Sequence, residues 1–162
     1  MSHAALRRCA VRAVSGLLLA AAATAVAYAH HPSPNVGAQA AVAAADWSEA
    51  IEVVIDLGDH HYAPSEFTLK LGRPYKISLR NVGATSHDMV GGSFFDVEAI
   101  ALRMVSSSAG RVIADNVNSI YVRPKHDIDL WLVPLKEGEY SFFCSLPGHR
   151  DDGMEGVVRV VR

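Results

Sequence analysis

The sequence predicts an all-β fold, a Greek-key β-sandwich of about seven to eight strands with one short helical insertion. Three observations lead there. Short β-type runs recur from Ile51 onward, turn signals separate them, and one run alternates strictly between two kinds of residue. The strand candidates are IEVVIDL (51–57), EFTLKL (66–71), PYKISLRN (74–81) and HDMV (87–90). They continue with SIYVRP (119–124), DIDLWLVP (127–134), YSFFC (140–144) and GVVRVV (156–161). In the sixth, Ile128, Leu130 and Leu132 alternate with Asp127, Asp129 and Trp131, a period of two that gives one buried and one wet face. Breaks fall at Leu71-Gly72-Arg73-Pro74, Asn81-Val82-Gly83 and Lys136-Glu137-Gly138. FFDVEAIALRMV (94–105) differs: it reads as a helix-like stretch holding Phe95, Ile100, Leu102 and Val105, and is the expected helical insertion. No internal repeat is present.

The first 29 residues read as a secretory signal peptide. Arg7, Arg8 and Arg12 form a basic start, an apolar run extends from about Ala13 to Ala27, and Ala27-Tyr28-Ala29 is a small-x-small cleavage site. The run is alanine-heavy and shorter than the roughly 20 apolar residues of a spanning helix. Cleavage after Ala29 and a periplasmic location are therefore expected, with no stable membrane insertion afterwards. The loss of three arginines leaves 12 basic residues against 17 acidic ones, a net charge of about −5 on 133 residues. That balance argues against nucleic acid and anionic membrane surfaces as partners and fits one soluble domain, expected to be a monomer. Residues 30–48, proline- and alanine-rich without useful periodicity, read as a flexible tether, and 49–162 as the folded domain.

After cleavage Cys144 is the only cysteine, unpaired in a chain built for an oxidising compartment. Alone it would read as a small buried hydrophobe or one half of an intermolecular disulfide. It stands, however, in FFCSLPGHRDDGMEG, where Cys144, His149 and Met154 offer a thiolate, an imidazole and a thioether at even steps. Leu146-Pro147-Gly148 supplies a rigid bend and Gly153 permits a tight turn, so the loop can aim all three at one point. A fourth ligand is offered by His87, in NVGATSHDMV. Two imidazoles, one thiolate and a distant methionine make the donor set of a blue-copper electron-transfer site. Structural zinc would prefer more cysteine or histidine, and an iron–sulfur cluster more thiolates.

From about Ile51 to Arg162 the chain resembles the cupredoxins, the family of small type 1 copper proteins. Asn81-x-Gly-x-x-x-His87 resembles the family's upstream ligand segment, and Glu139-Tyr140-x-Phe142-x-Cys144-x4-His149-x4-Met154-x-Gly156 its downstream one. The loop spacing is similar to that of rusticyanin and the phytocyanins, without the phytocyanin disulfide. The resemblance implies one type 1 copper ion, with Cys144, His87 and His149 in the trigonal plane and Met154 as axial ligand. It also implies that electrons pass through the exposed edge of His149 to redox protein partners. Where many members have asparagine after the first histidine, this chain has Asp88, which reads either as an ordinary loop carboxylate or as a brace for the thiolate loop.

Other donors are weighed against this set. His60-His61 reads as a solvated turn, with a place near the copper or a second weak copper site as the alternatives, and His30-His31 as a chelating N-terminus once the leader is removed. His126 reads as structural, Met89 as a thioether on the His87 side of its strand, and Met104 as helix packing. The leading functional expectation is a periplasmic single-electron carrier; the alternative is copper handling, by sequestration or delivery. Enzymatic activity is not expected, because copper oxidases and nitrite reductases need further copper centres.

Overall fold

The computed structural model describes residues 35–114 and 116–162. The expected leader and the His30-His31 pair lie outside them. Two β-sheets face one another. A six-stranded sheet runs in the order β2-β1-β4-β9-β6-β7 and a five-stranded one in the order β3-β11-β10-β5-β8. The strands are β1 (Ile51–Gly58), β2 (His61–Ala63), β3 (Glu66–Lys70), β4 (Tyr75–Asn81), β5 (His87–Val90), β6 (Ile100–Ser107), β7 (Gly110–Val112), β8 (Ser119–Val122), β9 (Asp127–Pro134), β10 (Gly138–Phe143) and β11 (Glu155–Val161). All eight strands expected from the sequence are present, within a residue or two at their ends. The all-β sandwich class stands.

Alternation explains which side each strand buries. On β9, Leu130 and Leu132 are buried, while Asp127 is exposed and Trp131 half-buried. Their core partners come from both sheets: Ile55 and Leu57 of β1, Ile77 and Leu79 of β4, Leu69 of β3, Phe142 of β10 and Val158 of β11. Each such side chain removed from water contributes roughly 1.5–3 kcal/mol.

Two expectations are corrected. The stretch 94–105 is not a helix. Gly92–Phe95 forms a single 3₁₀ turn, and β6 begins at Ile100. Ile100 and Leu102 enter the core between the sheets, whereas Ala101 is buried in a second, smaller cluster with Ala38 and Val133. Both faces of β6 are thus covered, which removes the period of two, and a bulge between Leu102 and Met104 shifts its register against β9. Met104 accordingly lies on a strand, opposite Trp131.

The second correction concerns the segment read as a tether. It contains the helix α1, Val36–Ala44, an alanine-rich run of strong intrinsic helix propensity. Ala38 packs on Ala101 and Val133, joined by Ala41, Val42, Ala45, Trp47 and Leu135. Trp47 Nε1 donates to the Val42 carbonyl at 3.0 Å, and its ring meets Trp131 edge-on at 6.4 Å. This α1–Trp47 layer covers the outer face of β6 and β9, opposite the main core.

The fold brings the ends of β1, β4 and β10 to the same place as the starts of β5 and β11. Leu57 pairs with Asn81, and the Leu57 carbonyl accepts from the amides of Val82 and Gly83 at 3.0 and 3.1 Å. His87 begins β5, and Cys144 follows β10 directly. Beyond it, the loop 145–154 returns the chain into β11.

Candidate metal centre

The β10–β11 loop is closed by its own backbone. Cys144 N donates to the Met154 carbonyl at 3.0 Å, Met154 N to His149 O at 2.9 Å, and His149 N to Leu146 O at 3.1 Å. The reversals fall on Gly148 (φ 81°) and Gly153 (φ 98°), both in the left-handed region that glycine enters without strain. The bend and turn expected from Leu146-Pro147-Gly148 and Gly153 are therefore in place. They bring Cys144, His149 and Met154 back over the end of the sandwich.

Three of the four expected ligands converge. His87 Nδ1 lies 3.2 Å from His149 Nδ1, which lies 3.4 Å from Cys144 Sγ, and all three donor atoms fall within 4.8 Å of one another. His87 and Cys144 are fully buried and His149 is half-buried. Met154 is also fully buried, in the same apolar cluster as Cys144, and is tied to both Cys144 and His149 through its backbone. Met89 is buried in that cluster too.

The donor chemistry asks for a cation. Two imidazole nitrogens facing one another across 3.2 Å can share at most one proton, and a thiol beside them is a weak partner. Burial pushes the Cys144 thiol above its usual range. Burial likewise pushes His87 below its ordinary value, a shift partly offset by its hydrogen bond to Asp59. A neutral imidazole is ready to ligate, and a metal entering here must displace the thiol proton. Neighbouring donors 3.2 and 3.4 Å apart are close enough for one ion to be shared between His87 and His149 and between His149 and Cys144.

Around these atoms lies a set of supporting hydrogen bonds. Asp88 is buried; its Oδ1 accepts from Ser145 N at 2.7 Å, and its Oδ2 accepts from Ser145 Oγ at 2.6 Å and from Ser119 Oγ at 3.3 Å. Of its two sequence readings, the brace for the thiolate loop is the one with contacts. Tyr62 donates its hydroxyl to the Asp88 carbonyl at 2.5 Å. Asn81, buried, donates to Thr85 O and Val122 O, both at 2.9 Å, and accepts from Gly83 N at 3.0 Å. That side chain fixes the loop leading into His87.

Sequence reasoning missed Asp59 and Tyr62; His60 does sit in an exposed turn, and it also lies beside the expected metal position, the alternative weighed for it. Asp59 Oδ1 lies 3.3 Å from His87 Nε2. The backbone amides of Ala84 and Thr85 hold its carboxyl down at about 2. The ring of His60 stacks on that of His149, with centroids 4.7 Å apart and planes 23° from parallel. His61 is exposed, its Nδ1 3.1 Å from Asp59 O, and His126 Nδ1 is 2.9 Å from Pro124 O. The only legible signal was the position of Asp59-His60, directly after a strand ending in Gly58.

A two-sheet β-sandwich with a histidine on β5 and a Cys–His–Met loop closing β10 onto β11 is the architecture of a cupredoxin-like domain. Residues 17–160 match that family, and the chain belongs to it. The chain is 28% identical to the copper-resistant cuproprotein CopI of Pseudomonas aeruginosa over 174 residues, which span 91% of this chain and 92% of that protein. Its fold is similar to auracyanin from Roseiflexus castenholzii, with a TM-score of 0.51 and 23% identity over 70% of this chain and 98% of that one. It is also similar to a multi-copper oxidase from Pseudomonas thermotolerans, with a TM-score of 0.58 and 17% identity over 72% of this chain and 31% of the oxidase. At these identities the structural likenesses speak for the fold alone.

Proposed function

We propose that this protein binds one copper ion in a type 1 site and carries single electrons between redox protein partners. His87, Cys144 and His149 would hold the ion, with Met154 as a weaker fourth donor. The observation that carries this reading is the convergence of one thiol sulfur and two imidazole nitrogens within 4.8 Å, at the edge of the main core to which Cys144 and Met154 belong. Copper, when bound, supplies a one-electron couple between its two oxidation states. The chain's residues do the rest. The β5 and β10 backbones hold His87 and Cys144, the self-bonded loop holds His149 and Met154, and Asp88 and Asn81 anchor the two loops that deliver them. A donor set fixed this way does not rearrange when charge changes, which keeps electron exchange fast. His149, half-buried beside the exposed Pro147, is the ligand through which electrons reach a partner.

The same reading takes the protein as exported to the periplasm, monomeric and without a bond-making reaction of its own. Among the described residues no helix is long and apolar enough to cross a membrane. A second reading, periplasmic copper handling, is favoured by the likeness to a copper-resistant cuproprotein along nearly the whole chain.

A copper titration of the protein, followed by visible absorption and electron paramagnetic resonance, tests both. One equivalent should give an intense thiolate-to-copper band with small hyperfine splitting, and Cys144→Ser should abolish the band. A reversible one-electron wave with slow metal loss supports the carrier. Ready transfer of copper to a chelator supports handling. A pale spectrum unaffected by Cys144→Ser would refute the site itself.

A further inference from the structure

The β1–β2 connection is a two-residue turn, since Gly58 pairs with His61 and only Asp59 and His60 lie between. It belongs to the six-stranded sheet, whereas His87 and the Cys144–Met154 loop belong to the five-stranded one. Its two side chains nonetheless reach both histidines of the centre. Asp59 Oδ1 faces His87 Nε2 at 3.3 Å while accepting from Ala84 N, Thr85 N and Thr85 Oγ1 at 3.0, 3.3 and 3.2 Å. This approach depends on Gly83, where a Cβ would stand 2.5 Å from Asp59 Oδ1 and 2.9 Å from His87 Nε2.

His60 adopts a left-handed conformation (φ 66°), where glycine or asparagine would sit with less strain. What the imidazole gains there is two contacts. It stacks on His149, and its Nδ1 meets Asp152 Oδ2 at 2.5 Å. Asp152 lies in the ligand loop, between His149 and Met154. The turn therefore touches one imidazole from behind, covers the face of the other, and ties down the loop that carries it.

We propose that Asp59 and His60 are positioning residues for the metal centre, clamping its two imidazoles from the opposite sheet and slowing metal exchange. Asp59 accepts the proton of His87 Nε2, which leaves Nδ1 unprotonated and pointing at Cys144 and His149; carboxylates commonly orient ligating histidines in this way. His149 is the half-buried ligand, so an outside acceptor must take the metal from its side. His60 and Asp152 must part before that loop can swing. The inference rests on the copper reading above.

Two measurements on the full chain separate the failure of one from the failure of the other. In the metal-free protein, long-range proton–nitrogen correlation spectra should show His87 as the Nε2–H tautomer. Asp59→Asn, which keeps an acceptor, should preserve it. Asp59→Ala frees the Thr85 hydroxyl, 3.4 Å from the same nitrogen, to donate instead, and the Nδ1–H form should appear. In the copper-loaded protein, transfer to excess bicinchoninate under reducing conditions should be at least tenfold faster in His60→Ala and Asp152→Ala than in wild type. Their visible band should keep its position. An unchanged tautomer in Asp59→Ala, or transfer rates within twofold of wild type with the band intact, would overturn the clamp. A wild-type protein that forms no such band would refute the copper reading, and the metal-free tautomer would still decide the role of Asp59.

Discussion

Asp88 offers the most direct test of how the site is held. Its carboxylate accepts three hydrogen bonds, two of them short, from Ser145 N (2.7 Å), Ser145 Oγ (2.6 Å) and Ser119 Oγ (3.3 Å). Bonds to a charged group contribute about 1.5–3 kcal/mol each, so the two short ones together amount to about 3–6 kcal/mol. Alanine removes them but also removes a carboxylate that is costly to bury. Ser145 is exposed, so its amide and hydroxyl regain water in the variant. The net loss for Asp88→Ala is therefore about 2–3 kcal/mol, which for a domain of this size lowers Tm by about 10 °C. Asp88→Asn keeps one oxygen for Ser145 N, and the two hydroxyls can turn to accept from its amide; its cost is within about 1 kcal/mol. It also removes a negative charge beside the thiolate loop, so its copper-loaded form should have a higher reduction potential than wild type. Circular dichroism melts of the metal-free proteins and potentiometry of the loaded ones measure both. A metal-free Asp88→Ala protein melting with wild type would show that these bonds do not hold the loop. A potential in Asp88→Asn at or below wild type would sink the charge argument.

Two further outcomes follow from packing. Gly156 pairs with Phe142 across β10 and β11, and a Cβ there would run into the Ser65 carbonyl and the Phe142 ring. Gly156→Ala should therefore cost about 1–3 kcal/mol by overpacking, read as a lower urea midpoint at unchanged slope. Ala38→Asp would place a carboxylate against Ala101 and Val133, on the outer face of the six-stranded sheet. It should lower metal-free stability by about 2 kcal/mol or more while leaving the visible spectrum of the loaded protein unchanged; wild-type stability would mean that α1 contributes nothing by docking.

What the sequence makes legible here depends on whether the controlling contact is local. The eight expected strands each bury one face or are bounded by glycine and proline, so period and punctuation betray them. The loop from Cys144 to Met154 is legible for a different reason. Cys144, His149 and Met154 lie within eleven residues, and their chemistry narrows the metal before any fold is known. Where local pattern failed, tertiary covering had erased it. Ile100, Ala101 and Leu102 are all apolar because β6 is buried on both faces, and an unbroken apolar run looks the same in a helix. In α1 the residues are nearly all small and apolar, so no stripe marks the side that meets Ala101. Asp88 could be narrowed to two readings, but its donors Ser119 and Ser145 lie 31 and 57 residues away. Asp59 and His60 carried less signal still. An Asp-His pair after a glycine is ordinary turn chemistry, and what sets these residues apart is that the turn ends against His87 and His149, 28 and 89 positions further along. Cys144, His149 and Met154 could be read because they share one short loop, whereas Asp59 and His60 could not because they reach it from the opposite sheet. For this reason the clamp variants test the part of the site that only the fold supplies.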